Sequence, residues 1–107
     1  MSQGRTQRGM ETKTRLEKPK RYNVIMHNDD VTTMEFVVHV LRAVFFKSPE
    51  AATQIMLDVH KTGSANVGVY PYDIAVSKVT KAMQLAKDEG FPLRLTITPY
   101  EPEDLPF

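Results

Sequence analysis

Two carboxylates stand side by side at Asp29 and Asp30, directly after the amide of Asn28, in the stretch HNDDVTTMEF of residues 27–36. They concentrate acceptors and negative charge. With His60 further along, they are the groups that can hold a cation, ligate a metal or move a proton. An enzyme needs more than this. The chain has no nucleophile motif, no phosphate loop and no helical His-x-x-x-His pair, and His27 and His60 have no ligand spacing. The same residue types also have a local use. Asn and Asp bond their own backbone in turns, and acids ahead of a helix complement its positive end. His60, beside Val59, reads as a basic group suited to a helix C-terminus or as a polar tip at a pocket rim. Spacing alone leaves both readings open.

Residues 21–27 (RYNVIMH) are β-branched and apolar, which predicts a strand ending near His27. The chain then turns through Asn28, Asp29 and Asp30. Thr32 with Glu35 three residues on forms a capping box and predicts a helix entered at about Thr33. Met34, Val37, Val38, Leu41 and Phe45 recur at helical spacing, with Glu35, His39 and Arg42 opposite; His39 there reads as solvated. Ser48, Pro49 and Glu50 open a second helix with the stripe Ala52, Ile55, Met56 and Val59, closed at Gly63. The short break predicts that the two helices form an antiparallel pair.

Residues 64–66 read as a loop and 67–70 as a short strand, with Gly68 allowing a bend or a close backbone approach. Pro71, Tyr72 and Asp73 open a third helix without a Ser, Thr or Asn cap. Its stripe is Ala75, Val79, Ala82, Met83 and Ala86, with Lys78, Lys81 and Lys87 outside it, and Gly90 ends it. Leu93, Leu95 and Ile97 alternate with Arg94, Thr96 and Thr98 as a half-buried strand stopped by Pro99. The order β-α-α-β-α-β predicts an α+β fold, a small three-stranded antiparallel sheet packed against three helices on one face.

A chain of 107 residues suits one small domain, and 41% apolar with 25% charged residues is ordinary globular composition. The absence of cysteine excludes a disulfide framework, a thiol nucleophile and a cysteine zinc site. No apolar run nears the roughly 18 residues of a membrane span. The first residues carry positive charge with no apolar core behind it, unlike a secretory signal. The expectation is a cytoplasmic protein that meets no membrane and needs no cofactor or metal. Residues 1–20 carry six Lys and Arg against two Glu, whereas the remainder carries eight against eleven acids. The first segment has no periodicity and predicts a disordered basic extension; without interleaved aromatics, it argues against nucleic acid as a partner. Residues 21–98 read as the folded domain and 99–107 as a loose, acidic, proline-rich tail.

The blocks VIMHNDDVTTMEFVVHVL, ATQIMLDVHKTG, VGVY and PLRLTI closely resemble the ClpS adaptor family over residues 21–98. The resemblance implies an adaptor of the Clp protease with no catalysis of its own. It binds proteins whose first residue is Leu, Phe, Tyr or Trp and delivers them to the N-terminal domain of a ClpA-type AAA+ unfoldase. It implies that Asn28, Asp29 and His60 contact the substrate α-amino group, with Asp30 in support. That agrees with the chemistry: an ammonium carries three donors and needs acceptors with negative charge nearby. Thr32, Met34, Val37, Met56, Val59 and Leu93 match the family's side-chain pocket, with Met34 as the gate that excludes β-branched side chains. Asp73 and Lys78 match its contacts with the unfoldase. A ribosomal-stalk-like interaction domain has the same element order and is the alternative.

Overall fold

The computed structural model describes residues 20–102. Most of the basic extension expected at 1–20 and the end of the tail expected at 99–107 lie outside these residues. Six elements follow in the order strand, helix, helix, strand, helix, strand. They are β1 (Tyr22–His27), α1 (Met34–Ala43), α2 (Pro49–Thr62), β2 (Ser64–Tyr70), α3 (Tyr72–Asp88) and β3 (Arg94–Pro99). The expected α+β order and antiparallel three-stranded sheet are present, with β1 central in the order β2-β1-β3.

Alternation along β1 sends Val24 and Met26 into the core, where both are fully buried. They meet Val37, Val40, Leu41 and Val44 of the first helical segment, Ala52 and Val59 of α2, Ala75, Ala82 and Ala86 of α3, and Leu93 and Leu95. Small alanines on α3 allow that helix to lie close against the sheet. On the other sheet face Asn66 donates to Asn23, Asn23 donates to Thr98 at 3.3 Å, and His27 pairs with Thr96 at 2.8 Å. This polar surface suits an antiparallel sheet covered on one side.

Each helix end has a physical cause. Ser48 accepts from the backbone N–H of Ala51 at 3.1 Å, Pro49 occupies the first turn of α2, and Gly63 closes it at φ 96°. The left-handed glycine makes the reversal tight enough for β2 to begin at Ser64, so residues 64–66 are strand and not loop. Helix α3 starts after Pro71 with no side-chain cap, as its sequence predicts. The capping box at Thr32 and Glu35 does not form. Thr33 is the cap of α1, accepting from Phe36 N–H at 3.1 Å, because the Thr32 hydroxyl is already committed to Asp29. Between Val24 and Ile25 the β1–β2 register slips by one residue, leaving Val67 as the extra residue of a bulge. Next to it, Gly68 lies under its neighbour's ring: an added Cβ would sit 2.5 Å from the Tyr70 hydroxyl. Strand β3 continues through Pro99, and Tyr100 N–H bonds to the Arg21 carbonyl at 2.9 Å, one step beyond the expected stop.

Lys78, expected outside the apolar stripe of α3, is half-buried and has partners of its own. Its ammonium donates to the Val44 carbonyl at 2.9 Å and lies over the rings of Phe46, Tyr70 and Phe45 at 4.6, 5.5 and 5.9 Å. It thereby ties α3 to the end of α1. Phe46, just beyond that end, is 78% exposed and held at φ 55°, a left-handed conformation uncommon for an aromatic residue.

Candidate functional site

The backbone N–H of Asn28 donates to the Gly63 carbonyl at 2.9 Å. This bond joins the end of β1 to the end of α2. It brings the 28–33 loop against His60, which lies one turn before that end. The residues between are organised by Asp29. Its Oδ1 accepts the backbone N–H groups of Val31 at 2.8 Å and Thr32 at 2.7 Å, and its Oδ2 accepts the Thr32 hydroxyl at 2.8 Å. The turn expected from residue type is therefore real, and a carboxylate closes it. Burial pushes the Asp29 carboxyl up, but the bonds from the Thr32 backbone, the Thr32 hydroxyl and the Val31 backbone lower it further. The net result is below the ordinary carboxylate value, which keeps the negative charge in place.

A cavity of 380 Å³ opens beside this loop. Asn28, Asp29, Asp30 and His60 line it together with Met34 and Val37 of α1 and Met56 and Val59 of α2. Thr32 also lines it, so every expected α-amino contact and five of the six expected pocket residues share one concavity. Leu93 does not line it. It is a core residue, 4% exposed, just ahead of the Arg94–His27 pair at the start of β3, and it borders a different groove. Alternation correctly turns Leu93 inward, but only the strand pairing decides which part of the core it meets. Val31 and Thr33 line the cavity as well. Neither carries a sequence signal, since both are there by virtue of the turn. Asp73 and Lys78 are on α3, which contributes nothing to the cavity.

The groove bordered by Leu93 is larger, 670 Å³, between α3 and the segment leading into β3. Its charged groups are Lys87 and Arg94. It therefore offers no acceptor cluster and repels a cation, whereas the smaller cavity attracts one. Among the described residues no three His, Asp or Glu side chains gather as a metal site, and no helix is long and apolar enough to cross a membrane.

The family described as ATP-dependent Clp protease adaptor protein ClpS matches this chain over residues 17–96. The chain belongs to the ClpS family. It is similar to the ATP-dependent Clp protease adapter protein ClpS of Clostridium acetobutylicum, at 54% identity over 79% of this chain and 84% of that protein. The ClpS adapter of Acetivibrio thermocellus is 51% identical over 83% of this chain and 90% of its own length. Among solved structures, Agrobacterium tumefaciens ClpS2 bound to L-phenylalaninamide superposes with a TM-score of 0.75 at 44% identity. That match covers 78% of this chain and all of the other. The ClpS fold and its β-α-α-β-α-β order are thus shared with the solved relative. The protein is an adaptor of the Clp protease, not an enzyme, and the ribosomal-stalk-like alternative falls away.

Proposed function

We propose that this ClpS adaptor recognises polypeptides by a free N-terminal α-amino group together with a bulky apolar first side chain, Leu, Phe, Tyr or Trp. It then delivers them to the N-terminal domain of a ClpA-type AAA+ unfoldase for degradation by the Clp protease. The observation that carries this reading is the joining of an acceptor cluster and an apolar slot in one 380 Å³ cavity. That size lies at the small end of the roughly 300–1,000 Å³ of ligand sites and suits one residue. The solved ClpS2 relative supports it: its ligand, L-phenylalaninamide, has a free amine, a benzyl side chain and an uncharged amide where a peptide would continue.

The chemistry divides along the cavity. A carboxylate has about four acceptor positions, and three of those on Asp29 are filled by Val31 and Thr32. One position remains on Oδ2 for an incoming ammonium. The Asn28 carbonyl oxygen and a His60 ring nitrogen complete a set of three acceptors for its three donors, and Asp30 adds charge. The first side chain fills the slot between Met34, Val37, Met56 and Val59, whose flexible methionines adapt to Leu or to a ring. The Met34 gate turns away side chains branched at Cβ. Acetylation removes the positive charge and leaves one N–H, so a blocked terminus loses most of the bonding. Leu93, outside the slot, is part of the core that the slot's Val37 and Val59 also join.

Asp73, exposed in the first turn of α3, and Lys78 form the unfoldase contact in this reading. Lys78 acts there as an organiser, since its ammonium holds Val44 and the Phe46 ring. The reading implies the cytoplasm as the compartment, with residues 1–20 as an extension beside the folded domain. Fluorescence anisotropy of a labelled peptide beginning with Leu, beside its acetylated twin, tests the first step. Binding of the free form alone is expected, and equal binding of both removes the mechanism.

A further inference from the structure

The 670 Å³ groove between α3 and the segment leading into β3 shares no lining residue with the 380 Å³ cavity. Its apolar wall includes Val79 and Met83 of α3 and Phe91, and its two charges, Lys87 and Arg94, are both positive and both exposed. Met83 is 38% exposed although it belongs to the apolar stripe of its helix. Phe91 packs against Phe36 of α1 with ring centroids 5.0 Å apart, which fixes this part of the wall. An apolar floor beside two cations suits an acidic segment that carries apolar side chains. Residues 100–107 (YEPEDLPF) are such a segment: Glu101, Glu103 and Asp104 are followed by Leu105 and Phe107.

We propose that residues 103–107 of this chain strap the groove, with Leu105 and Phe107 over Met83 and Phe91 and with Glu103 and Asp104 facing Lys87 and Arg94. The strap has a fixed point of departure. Tyr100 N–H bonds to the Arg21 carbonyl at 2.9 Å, and the Arg21 guanidinium lies 5.8 Å from the centre of the Tyr100 ring. From there back to Arg94 is the length of β3, 6 residues, or about 20 Å. The α3 wall of the groove, from Val79 to Lys87, is about 12 Å long. At the roughly 3.1 Å per residue of an extended proline-rich chain, residues 101–107 span about 22 Å. That carries Phe107 to the far end of the groove and Leu105 to its middle. Proline narrows the conformations open to an undocked chain, so Pro102 and Pro106 reduce the entropy lost on docking. They also lack the N–H needed to pair along the open edge of β3, which directs the segment to the side-chain groove. Proline-rich segments docking on aromatic-lined grooves are a recurring mode of recognition. The strap is independent of the substrate recognition proposed above.

The test compares NMR amide spectra of the full wild-type chain, of Leu105→Ser/Phe107→Ser and of Lys87→Glu/Arg94→Glu. Removing the two apolar side chains of the strap should shift the amides of Met83, Lys87, Phe91 and Leu93 and leave those of Asn28 and His60 in place. Lys87 and Arg94 are exposed, so reversing their charges leaves the core intact. That reversal should shift the Phe107 amide, and adding Glu103→Lys/Asp104→Lys should return it to its wild-type position. Groove amides that do not move in the serine variant overturn the strap. Wild-type groove amides that move with protein concentration show the groove taking this segment from a second copy, and also overturn it. A Phe107 amide untouched by the charge reversal overturns the pairing of Glu103 and Asp104 with the two cations.

Discussion

Asp29 is asked to do two things, and replacing it separates them. It closes the 28–33 loop through three hydrogen bonds and supplies charge and one open acceptor position to the cavity. Asp29→Ala removes all three bonds. Hydrogen bonds to a charged acceptor are worth about 1.5–3 kcal/mol each when protected. Here the carboxylate is only half-buried and water replaces much of what is lost, so the better guide is the loss of a helix cap, about 1–2 kcal/mol. For a domain of this size that lowers the midpoint of thermal unfolding by about 5–10 °C. With a total stability on the order of 5–15 kcal/mol, the variant stays folded. Asp29→Asn keeps a carbonyl oxygen for the Val31 and Thr32 N–H groups but loses the charge. Its melting temperature should fall by less than half as much. Both variants lose a charge-assisted bond to the ammonium, and their affinity for a Leu-initiated peptide should drop about 10- to 100-fold.

Acid unfolding adds an independent reading of the same group. The Asp29 carboxyl is held below its ordinary value of 3.8 in the folded protein. Its contribution is therefore complete above the unfolded value and is lost as pH falls through the folded one. Asp29→Asn should flatten that acid limb, measured by thermal scans between pH 5 and pH 2. Wild-type affinity in Asp29→Asn would refute the role of the charge. An unchanged melting temperature in Asp29→Ala would refute the role of the three bonds in holding the loop.

Met34→Ala shortens a side chain that lines the cavity and should admit Ile and Val as first residues; continued rejection of both in peptide titrations would show that Met34 is not the gate. Lys78→Met keeps the aliphatic stem but removes the ammonium from the Val44 carbonyl and the aromatic rings, and should lower stability by about 1–2 kcal/mol in urea titrations while leaving peptide affinity intact. Unaltered stability there would mean that Lys78 is free for the unfoldase and holds nothing in place. Gly63→Ala forces a side chain into φ 96°, with an expected loss of about 1 kcal/mol. Because Gly63 also anchors Asn28, peptide affinity should fall with it, and a variant with wild-type binding would show that the Asn28–Gly63 bond does not position the loop.

Local chemistry made much of this protein readable. Ser48, Pro49 and Gly63 bound α2 because capping and left-handed turns are set by residue type within a few positions. The alternation of Leu93, Leu95 and Ile97 made β3 legible for the same reason, and the acid corner announced itself through adjacent carboxylates. The blocks around Asn28–Asp29–Asp30 and His60 carried the family resemblance, and with it the residues of the acceptor cluster. What the sequence could not decide was competition for shared groups. Thr32 and Thr33 are equivalent as helix caps on paper; the Asp29 carboxylate takes the Thr32 hydroxyl and leaves Thr33 to cap α1. Helical periodicity put Lys78 outside the stripe of α3 but could not show its partners, because it describes one helix at a time, whereas the Val44 carbonyl and the Phe46 ring come from the end of another. Leu93 turned inward as its strand pattern required, but the pairing of Arg94 with His27 decided which cavity it would border. The sequence by itself determined the elements, the polarity of their faces and the groups able to meet an ammonium. The tertiary structure decided which of those groups share one cavity, because that depends on contacts between residues far apart in the chain, such as the bond from Asn28 to Gly63.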